Sequence, residues 1–140
     1  MKKLIIAAGT GFLGKVLINH FNNKFEEIIL LTRGKSEIKN QIKYVNWNAK
    51  SFSGWEKELE NVDVVINLAG KSVDCRYTEK NKAEILTSRI ESTKILNEAI
   101  LQCKNPPKHF INSSTATIYR HSEDKEMDEY TGEIGNDFSM

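Results

Sequence analysis

Lys3-Leu4-Ile5-Ile6-Ala7-Ala8-Gly9-Thr10-Gly11-Phe12-Leu13-Gly14 stands near the start of the chain. An apolar run ends in G-x-G-x-x-G and passes directly into the amphipathic stretch Phe12 to Asn22. That order of strand, turn and helix is the context in which the motif signals a dinucleotide-binding crossover. Each glycine then has a physical reason: one makes a tight turn, one lets the backbone approach a pyrophosphate, and one lets the helix pack closely on the strand. The phosphates would rest at the helix N-terminus, where unpaired N–H groups and the helix dipole favour an anion. Gly9, Thr10, Gly11, Phe12, Leu13 and Gly14 are therefore the candidate cofactor-contacting residues of this loop. A turn that merely reverses the chain is the plainer alternative. Gly9, Gly14 and Lys15 also stand at the spacing of a nucleoside-triphosphate P-loop. Val16 argues against that reading, because valine has no hydroxyl for magnesium.

Outward from this loop, apolar runs alternate with amphipathic ones, the pattern of parallel strands joined by crossover helices. The first strand is read at Lys3 to Ala8 and the second at Glu27 to Thr32. A weaker third strand, Lys43 to Asn46, follows a polar turn, with Trp47 and Trp55 packing around it. Asp63 to Leu68 is nearly continuous in apolar residues, as a central strand covered on both faces should be. Leu86, Ile90, Thr93, Leu96 and Ile100 recur at helical spacing and mark the inner face of a long helix from Thr78, its N-cap, to about Gln102. Pro106-Pro107 ends any helix that remains, and His109 to Ser113 is a fifth strand. The fold class is α/β, a Rossmann-type doubly wound parallel sheet in its N-terminal portion only. One domain, residues 1–140, is expected, truncated at its C-terminal end, because a complete dinucleotide fold adds at least a sixth strand. The fifth strand would then be an exposed edge, which favours a homo-oligomer by self-association.

Twenty basic and 19 acidic residues are mixed along the chain for a net charge of +1, so no footprint for nucleic acid is present. The apolar runs fall far short of the roughly 20 residues that span a bilayer, so no membrane segment is expected. Met1-Lys2-Lys3 does not lead into a signal peptide, since Gly9-Thr10-Gly11 breaks the apolar stretch at once. Cys75 and Cys103 lie far apart and His20, His109 and His121 are scattered, so reduced thiols in the cytoplasm, with no metal site, are expected. The end of the second strand reads Leu31-Thr32-Arg33-Gly34-Lys35, without the acidic residue that grips the ribose of NAD. Arg33 could pair with a 2′-phosphate that an aspartate would repel, which favours NADP(H) over NAD(H) and adds Thr32 and Arg33 to the candidates. Arg33 as a solvated strand-end charge is the alternative.

Together these segments resemble the extended short-chain dehydrogenase/reductases, the NAD(P)-dependent epimerases, dehydratases and reductases. Ala8 to Gly14, Leu31-Thr32-Arg33, Asn67-Leu68-Ala69-Gly70, and Tyr77-Thr78-Glu79 with Ser88-Arg89-Ile90 resemble one atypical branch, the "epimerase family" of nucleoside-diphosphate-sugar epimerase-like and cell-division-inhibitor-like proteins. The resemblance implies that Leu68, Ala69 and Gly70 line the adenosine and ribose side of the cofactor. It implies that Glu84 and Arg89, with Ser88, face the cofactor where conventional members carry a helix asparagine. Ser113-Ser114-Thr115-Ala116-Thr117-Ile118-Tyr119 resembles the stretch that places Thr115 at the catalytic serine/threonine position, hydrogen-bonding the substrate oxygen.

The chain departs from the family in two further places. The first loop glycine of the family falls on Ala8. No Tyr-x-x-x-Lys is present, and family spacing from Thr115 puts the tyrosine at about Met140 and the lysine beyond it. The pair would supply an acid/base poised near neutral pH. Without it, the chain as given is expected to show no appreciable turnover. Two functions follow: an NADP(H)-dependent oxidoreductase or epimerase on a small or nucleotide-linked carbonyl or alcohol, or a non-catalytic dinucleotide-binding sensor or interaction module. From Thr115 to Asp137 the chain is polar and acidic. Tyr119, Arg120 and Glu123 to Glu129 either line the substrate cleft or form a mobile, solvated loop.

Overall fold

The computed structural model describes residues 2–115 and 118–135. Along it run β1 (Lys3–Ala7), α1 (Phe12–Phe21), β2 (Glu27–Thr32), β3 (Glu37–Lys39), β4 (Ile42–Asn46), a 3-10 helix (Trp55–Leu59), β5 (Val64–Asn67), α2 (Glu79–Gln102) and β6 (His109–Asn112). The strands make one sheet in the order β3-β4-β2-β1-β5-β6, parallel except for the β3–β4 hairpin. This is the Rossmann-like α/β architecture. The chain starts in the middle at β1, builds outward through β2 and β4, then returns to the other side of β1 with β5 and β6.

Alternation along β1 explains why both faces are covered. Leu4 and Ile6 join Ile28, Leu30, Ile42 and Ile66 under Leu17, Ile18 and Phe21 of α1. Ile5 and Ala7 point the other way, to Ile29, Leu31 and Val65 and to Ile95, Leu96 and Ala99 of α2. Two buried faces are what a near-continuous apolar strand demands. Trp47 and Trp55 pack edge to face in the second layer, ring centroids 5.8 Å apart. The Trp55 indole donates to the Ser51 carbonyl at 2.9 Å. The buried indole N–H of Trp47 has no partner among the described residues, so Trp47 contributes by packing.

The face of α2 matches only in part the one the periodicity predicts: Leu96 is fully buried and Thr93 and Ile100 are half-buried, as expected. Ile85, Ser92, Ile95, Leu96 and Ala99 are the buried positions, whereas Leu86 and Ile90 are 45% and 55% exposed. The helix carries apolar residues on two sides, and the sheet selects the side that includes the small, hydroxyl-bearing Ser92, which a search for large apolar residues passes over. Its N-cap is Thr78, whose Oγ1 accepts from the Asn81 N–H at 3.2 Å. Its other end stops at Cys103, before the prolines, where the Glu60 carboxylate accepts the N–H groups of Lys104 and Asn105 at 2.8 and 2.9 Å. Those bonds hold the Glu60 carboxyl below its ordinary range.

Two elements lie in stretches that read as connections in the sequence. The turn Asn40–Gln41 takes positive φ at both residues, 51° and 64°, which suits a two-residue hairpin and adds β3 beside β4. The 3-10 helix then places Trp55 and Leu59 in the core. The sheet thus has six strands, one more than the apolar runs indicate, because β3 is fully exposed and carries no apolar pattern.

Candidate functional site

Strand register brings the predicted residues to one rim. Ala7 pairs with Leu31 and with Asn67, and Asn67 pairs with Asn112, so β2, β1, β5 and β6 end at a common level. Backbone bonds carry the level one residue further: Ala8 N–H to Leu31 O at 2.8 Å, Leu68 N–H to Ala7 O at 3.0 Å and Ser113 N–H to Asn67 O at 2.9 Å. Along this rim lie, in order, Thr32-Arg33, the Gly9–Gly14 loop, Leu68-Ala69-Gly70 and Thr115. From β2 to β6 is three strand spacings, about 14 Å. The strand order reverses between β1 and β5, and a crevice at such a reversal is where open α/β sheets bind ligands.

The three glycines of the loop do different things. A Cβ on Gly14 would stand far inside contact with the Gly9 carbonyl, so α1 can approach the loop only if residue 14 has no side chain. On Gly9 it would meet Ile6 Cγ2 at 2.8 Å and Leu30 Cδ2 at 2.9 Å. At Gly11 it would meet nothing within 4 Å. Gly11 is the N-cap of α1 with extended backbone (φ −79°, ψ −173°), no side chain caps the helix, and no acidic residue stands in its first turn. Open space in front of uncapped N–H groups is a cradle that fits a pyrophosphate. The left-handed residue of the turn is Ala8, at φ 58°, and not a glycine.

Beyond β2, Arg33 is exposed and its guanidinium makes no ion pair among the described residues. Thr32 Oγ1 accepts from the Gly34 N–H at 3.2 Å, turning the chain just past the strand. Beyond β5, Gly70 lies against Arg89, whose guanidinium carbon would be 3.1 Å from a Cβ there. The Arg89 Nη1 donates to the Lys71 and Ile85 carbonyls at 3.1 and 3.0 Å. Lys71 is also gripped by α2: its N–H donates to Ser88 Oγ at 2.9 Å, and its Nζ donates to Asn81 Oδ1 at 2.7 Å and pairs with Glu84. The Lys71 ammonium holds the Glu84 carboxyl below its ordinary range. Glu84 and Arg89 thus both brace the β5–α2 loop.

Beneath the loop, buried Asn67 ties three elements together. Its Nδ2 donates to Asn112 Oδ1 at 2.8 Å, its Oδ1 accepts from the Ala69 N–H at 3.0 Å, and Thr93 Oγ1 donates to the same Asn112 oxygen at 3.0 Å. Sequence reasoning places Asn67 in a motif and Thr93 on the inner face of the helix, but misses Asn112 and the bond that Thr93 makes to it. Spacing carries no signal for partners that meet only when β5, β6 and α2 pack.

Thr115 is exposed at the rim, and its carbonyl accepts from the Ile118 N–H at 3.3 Å. Ala116, Thr117 and residues 136–140, including the Met140 position, lie outside the described residues. The polar segment that follows has more structure than its lack of period suggests. Tyr119 bridges Ile134, Arg120 pairs with Glu133, and Lys125 Nζ pairs with Glu133 at 2.7 Å. Asp128 Oδ1 accepts the N–H groups of Tyr130 and Thr131 at 3.0 and 2.6 Å. Arg120 first, then Lys125, lower the Glu133 pKa to about 2.

Among the described residues no helix is long and apolar enough to cross a membrane, and no three His, Cys, Asp or Glu side chains gather as metal ligands would. Known proteins carry the same pattern. An epimerase family protein of Staphylococcus haemolyticus is 38% identical over 120 residues, covering 85% of this chain and 39% of that one. One of Staphylococcus aureus is 41% identical over 122 residues, with the same coverage. The chain therefore spans about two fifths of the length of the curated relatives it matches. The human epimerase family protein (isoform 2) solved with NADPH superposes with a TM-score of 0.75 at 26% identity, over 96% of this chain and 43% of that one. UDP-N-acetylglucosamine 4-epimerase from Bacillus cereus shares the fold, with a TM-score of 0.71 at 22% identity over 97% and 43% of the two chains. A family model described as NAD dependent epimerase/dehydratase matches residues 4–137, nearly the whole of the sequence, and to that family this chain belongs.

Proposed function

We propose that this chain is the NADP(H)-binding part of a short-chain dehydrogenase/reductase, an oxidoreductase or epimerase acting on a small or nucleotide-linked carbonyl or alcohol. The observation that carries the cofactor is the end of β2, where Arg33 stands on a short turn without an ion-pair partner among the described residues. The human relative with NADPH supports the same reading. In this reading the Gly9–Gly14 backbone and the N-terminus of α1 hold the pyrophosphate, Arg33 grips the 2′-phosphate, and Leu68, Ala69 and Gly70 flank the adenosine and ribose. Glu84 and Arg89 act on the cofactor through the wall they brace. A nicotinamide dinucleotide supplies hydride transfer. Thr115, across the rim beyond β6, hydrogen-bonds the reacting oxygen of the substrate, but a threonine hydroxyl does not exchange a proton readily at neutral pH.

A second reading is a non-catalytic dinucleotide-binding sensor or interaction module, because a fold that holds the cofactor does not by itself supply chemistry. Turnover with NADPH and sugar nucleotides separates the two. We also place the protein in the cytoplasm, a reading supported by its two free cysteines, Cys75 and Cys103.

Calorimetric titration of NADPH and NADH against the parent and Arg33→Ala tests the cofactor assignment. The parent should bind NADPH more tightly. The substitution should weaken NADPH by about tenfold or more and NADH little, as expected for loss of a charge-assisted pair. Equal affinities in the parent would refute the assignment.

A further inference from the structure

The turn that carries Arg33 is held from β4. Asn46, the last residue of β4, donates from Nδ2 to the Gly34 carbonyl at 2.8 Å and to the Arg33 carbonyl at 3.3 Å. Its own N–H donates to Ser36 Oγ at 2.9 Å. Together with the Thr32 Oγ1 bond to the Gly34 N–H, these side-chain bonds close the turn from 32 to 36. All of them are at the exposed rim, outside the core. Gly34 is a weak point, because without a Cβ its backbone explores conformations closed to other residues.

We infer that Asn46 is a positioning residue for cofactor choice: by fixing the Thr32–Ser36 turn it presents Arg33 to the 2′-phosphate and so sets the preference for NADPH over NADH. This rests on the reading of Arg33 given above. The physical ground is preorganisation. A loop ordered before binding loses less conformational entropy when it binds, and affinity rises accordingly. In this reading Arg33 meets the phosphate group that distinguishes the two cofactors, so order in its turn favours one cofactor and leaves the other unaffected. Asn46 itself need touch no ligand.

The experiment is a double-mutant cycle on the full chain, titrating NADPH and NADH against the parent, Asn46→Ala, Arg33→Ala and the double variant. Asn46 is exposed, so its truncation leaves the core intact, and far-ultraviolet circular dichroism confirms folding of each protein. Asn46→Ala should weaken NADPH by about threefold to tenfold, the loss of one or two neutral hydrogen bonds, with NADH within about twofold of the parent. In the Arg33→Ala background the same change should do nothing to either cofactor, because its route runs through Arg33. Weakening of both cofactors alike, or an Asn46 effect that persists without Arg33, would overturn the inference while the Arg33 assignment stands. A parent that does not prefer NADPH would overturn both.

Discussion

The corner where β1 meets α1 and the segment beyond β6 lie on the same rim, yet one is backed by a buried core and the other is not. At the first, backbone meets backbone: Ala8 bonds Leu31 across the sheet, and the Gly14 Cα sits against the Gly9 carbonyl with no room for a side chain. Four consecutive residues of β1 are fully buried behind it. At the second, β6 is exposed throughout, and the turn from Ile118 to Gly135 is closed without a buried strand behind it, by backbone bonds such as Arg120 N–H to Glu133 O at 2.8 Å and Gly135 N–H to Ile118 O at 3.0 Å and by charged side chains, with Glu133 between Arg120 and Lys125. A cofactor cradle built from main chain over a buried core is set once the sheet forms. A loop closed by surface ion pairs has a shape that depends on charge, and such pairs individually contribute little. The part of the molecule assigned to the cofactor is therefore the one backed by the core, and the segment beyond β6 is the one whose closure depends on surface charge.

This contrast can be broken most severely at Gly14. Gly14→Ala should destabilise the chain by about 3 kcal/mol, since the new methyl meets a carbonyl that cannot move without moving β1 or α1. Urea unfolding measures it, and a change under about 1 kcal/mol would mean that the corner is softer than described. The second region should respond only locally. Glu133→Gln should speed amide exchange of residues 118–135 by about two- to fivefold at pH 7 and leave the slowest core amides unchanged. The pH dependence has a definite sign. The folded carboxyl titrates near 2, below its ordinary 4.5, so its contribution is complete above about pH 4.5 and disappears as pH falls towards 2. Parent and variant should therefore converge on acidification, after correction for intrinsic exchange. The smallest effect is expected at Ala8, whose φ of 58° costs an L-residue what glycine avoids. Ala8→Gly should stabilise by about 0.5 kcal/mol, the relief being partly offset by glycine's greater freedom in the unfolded chain. A loss of stability would show that the Ala8 methyl packs well enough to outweigh the strain.

How much of the molecule is legible in its sequence follows the same division. The β1 run, the glycine motif and the buried β5 run are local patterns, and each appears in the structure within a residue or two of its predicted bounds. The position of Arg33 and the Leu68–Gly70 segment at strand ends is equally readable, because strand order alone puts them on one rim. Residues that act across space are not. Asn112 and Thr93 join Asn67 only through packing, Lys71 meets Glu84 only because the β5–α2 loop folds back on the helix, and Asn46 reaches the Arg33 turn only through the pairing of β4 with β2. The inner face of α2 escapes the periodicity in part, at Leu86 and Ile90 but not at Leu96, for a related reason. Leu86 and Ile90 are the larger residues, but Ser92 and Ala99 are the ones small enough to let the helix lie close to the sheet.

If the open space in front of Gly11 seats a dinucleotide phosphate, filling it must cost cofactor binding and little else. Calorimetric titration of NADPH into the parent and into Gly11→Val isolates that space, because a Cβ there meets no protein atom within 4 Å and the extended backbone accepts any residue. The variant should fold, with a stability loss of about 1 kcal/mol or less from valine's poor N-cap preference, and lose NADPH binding by at least about tenfold, its methyl groups standing where the pyrophosphate must approach the helix. A folded Gly11→Val protein that binds NADPH as tightly as the parent would show that the glycine loop is only a turn.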